Sequence, residues 1–250
     1  MAVTIKSERE IDLMRKSCQI LAKVHDELGQ AIQPGMSTLD IDRLGEKLIR
    51  GYGCIPNFLN YNGYPASICV SVNDEVVHGI PRADRILQEG DIVSLDAGLI
   101  YKGYHSDAAR TYGVGKISIE AQKLIDETRN SFFEGIKKAT AGNHLHDISN
   151  AIDAYISKFG YGIVRDLVGH GIGTALHEDP QIPNFAQRRR GVKLRAGMTL
   201  AIEPMINMGT HEVFVDEEDD WTVVTEDELP SAQWEHTFVM TENGLEILTY

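Results

Sequence analysis

The run Asp91-Ile-Val-Ser-Leu-Asp96-Ala-Gly98-Leu-Ile-Tyr-Lys-Gly103-Tyr-His-Ser-Asp107 carries two acids on either side of a turn-prone centre. A hairpin symmetric about Tyr101 and Lys102 pairs Asp96 directly with Asp107 on one face, with Cβ atoms about 4.5–5.5 Å apart. Opposed carboxylates repel, so the pair must share a proton, hold a cation, or stay solvated on an open face. Glu203 tips the balance toward a cation. It stands in Leu200-Ala-Ile-Glu-Pro204, an apolar run where an uncompensated acid is rare. A further acid, Glu235, follows in Gln233-Trp-Glu-His-Thr237 at a predicted strand start. His170 lies in Val168-Gly-His-Gly-Ile-Gly173, whose glycines let backbone approach a site closely, and imidazole is a good ligand for divalent transition metals. Alone, such a histidine reads as a loop residue; beside four acids, ligation is the better reading. Four carboxylates offset two divalent cations, and oxygen donors with one imidazole suit Mn, Fe, Co or Zn. Two metals held by acids on strands are hydrolytic apparatus, one polarising a carbonyl while both generate hydroxide near neutral pH.

The elements that must position these residues are written twice. Leu87-Gln-Glu-Gly-Asp-Ile-Val-Ser-Leu-Asp96 aligns with Leu194-Arg-Ala-Gly-Met-Thr-Leu-Ala-Ile-Glu203 at an offset of 107. The same offset sets Pro34-Gly35 and Asp40-Ile41 beside Ala141-Gly142 and Asp147-Ile148. Gly51-Tyr-Gly53 matches Gly160-Tyr-Gly162, and His78-Gly-Ile-Pro81 matches His177-Glu-Asp-Pro180. Two halves follow, about 5–112 and 116–250, each with helices first and strands after. Helical spacing predicts helices over 8–31, 38–50, 118–139 and 145–159, with Ser37 or Thr38 as N-cap and Gly51 as stop for the second. Strands are predicted at 66–72, 91–100, 104–113, 198–206, 221–225 and 233–240. Two such halves without a low-complexity linker predict one α+β domain of pseudo-twofold symmetry, with a ligand site in the cleft between them.

The chain has 250 residues, enough for a sizeable core, and a formal charge of −13. That balance argues against affinity built on neutralising phosphates; the one dense basic run, Arg188-Arg-Arg190 with Lys193 and Arg195, reads as a solvated loop. No secretory signal opens the sequence, and no run approaches the roughly 18 apolar residues of a membrane helix. Cys18, Cys54 and Cys69 are odd in number without C-x-x-C spacing, so neither a disulfide framework nor a zinc cluster is expected. A soluble intracellular protein is expected.

In order, Asp96, Asp107, His170, Glu203 and Glu235 resemble the five metal ligands of the pita-bread metallopeptidases and, within them, the type I methionine aminopeptidases. The resemblance runs from about residue 8 to the C-terminus. It includes Asn60-Tyr-Asn-Gly-Tyr-Pro65, His78-Gly-Ile-Pro81, Gly169-His-Gly-Ile-Gly173, His177-Glu-Asp-Pro180, Glu203-Pro204 and Glu235-His-Thr237. Each piece is weak alone; their ordered combination is specific. The gap between His170 and Glu203 leaves no room for the helical insert of type II enzymes. The zinc-finger extension of some type I relatives is not expected.

The resemblance implies a pita-bread α+β fold, a curved antiparallel sheet with helices on its outer face, as one catalytic domain over 1–250. It implies two divalent metal ions, Asp96 chelating one, His170 and Glu203 the other, and Asp107 and Glu235 bridging both. Water or hydroxide between them would attack the first peptide carbonyl, with Glu203 as general base. His177 would stabilise the developing oxyanion, and His78 would sit near the scissile nitrogen or the next residue's backbone. The substrate's free α-amine on a metal would limit cleavage to one residue. Phe58, Tyr61, Tyr64, Cys69, Leu176 and Trp221 would form the methionine pocket, although Cys69 and Leu176 alone read as ordinary core. Asn73 and Ser231 resemble positions that help hold a monovalent cation in some relatives.

The implied activity is removal of initiator methionine from nascent proteins and peptides with a small second residue. A cytoplasmic monomer without DNA or membrane partners is implied. Two departures stand out. Val215-Asp-Glu-Glu-Asp-Asp220 replaces a basic loop suited to ribosomal RNA, leaving any weak ribosome association to Arg188–Arg190. Phe58 stands where some relatives have a smaller side chain, which narrows the pocket rim. Two rivals remain: a proline-directed relative such as a prolidase, which usually carries an extra N-terminal domain, and a metal-free binding module, which typically has replaced ligands.

Overall fold

The computed structural model describes residues 3–250; Met1 and Ala2, where the segment read for a secretory signal begins, lie outside the described residues. The first half contains α1 (Glu8–Ala31), α2 (Thr38–Gly51), β1 (Ile55–Pro56), β2 (Ile68–Val72), β3 (Glu75–Val77), β4 (Ile92–Tyr101) and β5 (Tyr104–Gly113). The second contains α3 (Ile119–Ile136), α4 (Leu145–Ile156), β6 (Gly162–Ile163), β7 (Gly169–Gly171), β8 (Glu178–Ile182), β9 (Thr199–Ile202) and β10 (Met205–Asn207). Then follow β11 (Val213–Val215), β12 (Val223–Thr225), β13 (Ser231–Gln233), β14 (His236–Thr241) and β15 (Gly244–Ile247).

The helices start where their caps dictate. Ser37 is the N-cap of α2: its hydroxyl accepts the Asp40 N–H at 3.1 Å while the Asp40 carboxylate accepts the Ser37 N–H at 3.2 Å. Asp147 repeats the second half of this box, accepting the His144 N–H at 2.9 Å. The matched glycines Gly35 and Gly142 share positive φ (90° and 94°), as do Gly90 and Gly197 (100° and 85°). The duplication is therefore present in backbone conformation as well as in letters. The stop of α2 differs from expectation. Gly51 is its last helical residue, and the chain reverses through Gly53 at φ 72°. Helices α3 and α4 each end three residues short of expectation.

α1 buries Met14, Cys18, Leu21, Val24 and Leu28 along one stripe. With Ile41 and Ile49 of α2, Leu21, Val24 and Leu28 cover the face of β2, β4 and β5 that carries Val70, Leu95 and Ala108, while Met14 and Cys18 pack in a second cluster with Cys69 and Val239. α3 and α4 cover β9 and β14 in the same manner, through Phe132, Ile148 and Ile152 against Leu200, Ile202 and Phe238. Each such side chain contributes about 1.5–3 kcal/mol by leaving water. The helices thus take one side of the strands and leave the other side for a cleft. Among the described residues no helix is long and apolar enough to cross a membrane. Cys18, Cys54 and Cys69 are buried and free.

Candidate active site

The hairpin register departs from expectation. β4 and β5 pair Asp96 with Ala109 and Gly98 with Asp107, so the two acids are diagonal neighbours and not directly opposite. The turn is centred on Lys102 and Gly103, both at positive φ (48° and 83°), one residue along from the expected Tyr101-Lys102 centre. This is the two-residue geometry whose twist matches paired strands, and glycine supplies the second left-handed position. The slip is even, so both acids keep the same face. Each acid now faces a small residue, Ala109 or Gly98, and the space a side chain would take at Gly98 is filled by the Asn57 amide.

The predicted strands 198–206 and 233–240 are each interrupted at an acid. β9 ends before Glu203 and Pro204, and β13 and β14 are separated by Trp234 and Glu235. Proline offers no ladder N–H, so pairing breaks there. The register is nevertheless the same on both sides, Ile202 with His236 and Met205 with Gln233, which sets Glu203 across from Glu235. In the gap the chain turns to the first half instead: the Glu235 N–H donates to Ala109 O at 2.8 Å and the Asp107 N–H to Thr237 Oγ1 at 3.1 Å. These bonds bring Asp107 beside Glu235.

His170 enters from β7. A Cβ on Gly171 would lie 2.2 Å from Asp179 O and one on Gly169 2.5 Å from Ala201 O, so glycine is required on both sides of the histidine. His170 Nδ1 is 2.8 Å from Gly171 O and must donate to it, which leaves Nε2 with its lone pair facing the acids. Nε2 lies 3.6 Å from Asp107 Oδ2 and 3.8 Å from Glu203 Oε1. Ligand atoms of Asp107, His170 and Glu235 all fall within 4.8 Å of one another. Asp96 adjoins Asp107, close enough to share a hydrogen bond when one of them is protonated.

The electrostatics are those of a cation site. Burial first, then the Asp107 charge, raises Asp96 well above the usual carboxylate range. Burial and the neighbouring acids do the same to Glu203 and Glu235, and burial pushes Asp107 up to about 8. Asp96 Oδ1, Asp107 Oδ1 and Glu235 Oε1 are buried without a hydrogen-bond partner among the described residues. Orphaned carboxylate oxygens converging beside a neutral imidazole fit divalent cations. Burial lowers His170 to about 4, keeping it neutral and ligand-ready.

These residues floor a cavity of about 250 Å³. Its wall includes Phe58, Tyr61, Tyr64, Cys69, Leu176 and Trp221, and both His78 and His177 reach it. Cys69 and Leu176, which alone read as core, are buried but face this space. Trp221 meets Tyr64 edge to face at a centroid distance of 5.2 Å. His78 takes φ 60°, an unusual conformation for a non-glycine residue and one that concentrates at functional sites. Asn62, Val77, Leu167, Val168 and Met205 also line the cavity and were not anticipated. Met205 had a signal, two residues beyond Glu203 and on its face; Leu167 and Val168 had none beyond proximity to His170. Asn73 and Ser231 lie outside this cavity: Asn73 Nδ2 donates to Asp91 at 2.9 Å, and Ser231 Oγ lies 2.8 Å from Asn207 Oδ1.

Comparison with known proteins agrees with this geometry. The model of metallopeptidase family M24 matches residues 12–242. A methionine aminopeptidase of Clostridium acetobutylicum is 51% identical over 99% of this chain and 98% of its own length. The crystal structure of methionine aminopeptidase from Rickettsia prowazekii superposes with a TM-score of 0.97 at 38% identity, covering 100% of both chains. An Xaa-Pro dipeptidase from Bacillus anthracis shares the fold alone, with a TM-score of 0.79 at 24% identity over 98% of this chain and 61% of that one. Full-length likeness to the first two, with both halves supplying acids to one crevice, leaves a single assignment: the chain belongs to metallopeptidase family M24, with the methionine aminopeptidases.

Proposed function

We propose that this protein removes the initiator methionine from nascent chains and peptides whose second residue is small. The observation that carries this function is the convergence of acids from both halves, with His170, on the floor of a cavity walled by aromatic and aliphatic side chains. Asp96, Asp107, His170, Glu203 and Glu235 would hold two divalent ions, of Co, Mn, Fe or Zn. When bound, such ions supply Lewis-acid polarisation of the carbonyl and lower the pKa of water. Glu203, whose side chain keeps 15% exposure, accepts the proton of the attacking water and passes it to the leaving amine. Water adds to the first peptide carbonyl, the C–N bond breaks, and free methionine departs from a chain shortened by one residue. His177 donates to the developing oxyanion, and His78 holds the backbone at the scissile nitrogen. Phe58, Tyr61, Tyr64, Cys69, Leu176 and Trp221 enclose the methionine side chain.

Residues 1–250 act as one catalytic unit, and one chain completes the cavity, which supports a monomer. Three free buried thiols support a reducing cytoplasm. The acidic stretch 216–220 repels RNA phosphate, so any ribosome association falls to the exposed run Arg188, Arg189 and Arg190.

Purified protein loaded with Mn or Co should release methionine from Met-Ala-Ser and leave Ala-Pro peptides uncut. Inactivity with every divalent metal would reject the assignment, and preference for Ala-Pro would transfer it to the proline-directed relatives. The pocket carries its own expectation. Phe58→Ala removes a side chain only 8% exposed and should raise KM for Met-Ala-Ser about tenfold with kcat little changed, because the contact serves ground and transition states alike. An unchanged KM would remove Phe58 from the pocket.

A further inference from the structure

His177 is held in place by two separate devices. The first fixes its backbone. The carboxylate of Glu178 accepts the N–H groups of Thr174 and Ala175 at 2.9 and 3.3 Å and pairs with buried Lys6, closing the 174–178 loop on itself. That clamp leaves the imidazole free to turn and says nothing about which ring nitrogen carries the proton.

The second device is Tyr61. Its hydroxyl lies 2.8 Å from His177 Nδ1, and among the described residues it is the imidazole's only hydrogen-bond partner. The rings are tilted by 37° with centroids 5.4 Å apart, so the contact is a hydrogen bond and not a stack. Tyr61 is itself presented on a tight turn: its N–H donates to Phe58 O at 2.8 Å, and its carbonyl accepts the Tyr64 N–H at 2.9 Å.

We propose that Tyr61 is a positioning residue for His177, donating its hydroxyl proton to Nδ1 and so holding the imidazole as the Nε2–H tautomer. A phenol O–H is the better donor of the two, and the imine nitrogen the better acceptor. The bond on one ring nitrogen decides the state of the other. With Nδ1 occupied, the proton sits on Nε2 of a residue that lines the cavity. The opposite tautomer would aim a lone pair at the oxyanion and oppose the reaction. Tyr61 therefore does more than wall the pocket. This role rests on the peptidase activity proposed above.

The test is a double-mutant cycle with Tyr61→Phe, His177→Ala and the pair, on metal-loaded protein with Met-Ala-Ser. Tyr61→Phe should lower kcat about tenfold with KM changed less than twofold, since one donor at an oxyanion is worth more than that when lost outright. In the His177→Ala background the same substitution should change kcat less than twofold. Equal loss in both backgrounds, loss confined to KM, or no loss would overturn the proposal. ¹⁵N NMR of the His177 ring gives an activity-independent readout: Nδ1 should be unprotonated in the parent, and a protonated Nδ1 would overturn the proposal. A parent protein inactive on Met-Ala-Ser would instead refute the peptidase activity, while the NMR result still decides the tautomer.

Discussion

Glu203→Gln should lower kcat at least about a thousandfold on Met-Ala-Ser while the protein folds as before. Glutamine keeps the shape but neither ionises nor takes the proton of the attacking water, and general-base loss alone costs about 10²–10⁴ in rate. The stability half of this expectation is equally specific. Burial and the charges of Asp96 and Asp107 hold Glu203 well above the usual carboxylate range, so its ionised form is the disfavoured one in metal-free protein. A neutral amide relieves that repulsion, and the melting temperature without metal should be equal or higher. Asp96→Ala should abolish turnover by the other route, loss of a ligand. Near-normal kcat in either variant would show the assigned roles to be wrong. A melting temperature well below that of the parent for Glu203→Gln would show a structural role instead.

Chelation should abolish activity and divalent metal should restore it, and the metal-free protein should betray its crowded acids through pH. Asp107 has an ordinary value of 3.8 and lies near 8 in the fold. Between those values the native state keeps a proton that the unfolded chain has released. Its contribution to stability is therefore complete below about 4 and lost as pH rises through about 8. His78, His170 and His177 act with the opposite sign. Each is lowered to about 4, so each favours the fold above its ordinary 6.5 and loses that contribution only as pH falls toward 4. Although His177 is exposed, the protein that surrounds much of it, then the charges of His170 and His105, hold it low as well.

From pH 6.5 to 8 the histidines of the unfolded chain lose their remaining half-proton each, while the four buried acids keep whole protons in the fold, so the acids outweigh them. One excess proton over 1.5 pH units corresponds to about 2 kcal/mol, or roughly 5 °C for a chain of this size. The melting temperature of chelated protein should fall by that order across the window. Saturating Mn should cancel the fall, because carboxylates facing a cation ionise without penalty, and a pH-stat should register proton release on loading. A flat or rising melting temperature in chelated protein would contradict the clustering of the acids.

Much of this protein is legible in its letters because the relevant forces are local. Helical stripes and the Ser37–Asp40 box depend on residues three or four apart, so α1 and α2 could be placed nearly to the residue. The repeat Gly90/Gly197 survives as matching backbone conformation because a left-handed position selects glycine wherever it occurs. The ligand set could be assembled from acids in apolar runs because an isolated charge there has no other cheap resolution. The hairpin register differs by two positions from the symmetric pairing, since turn choice rests on the twist of the strands and symmetry of sequence about Tyr101 and Lys102 ignores it.

What only tertiary structure decided is contact between parts distant along the chain. The breaks at Glu203-Pro204 and Trp234-Glu235 look like uninterrupted strand in sequence. They make sense only because Glu235 leaves its own ladder to bond Ala109 of the other half. Cys69 and Leu176 look like core until the cavity is seen beside them, since an apolar side chain packs alike against protein or a vacant pocket. The bond from Tyr61 to His177 spans 116 positions and has no local signature at all. Composition and spacing select the donors; the closing of two duplicated halves sets the distances, because only packing of one sheet edge on another can hold like charges against their repulsion.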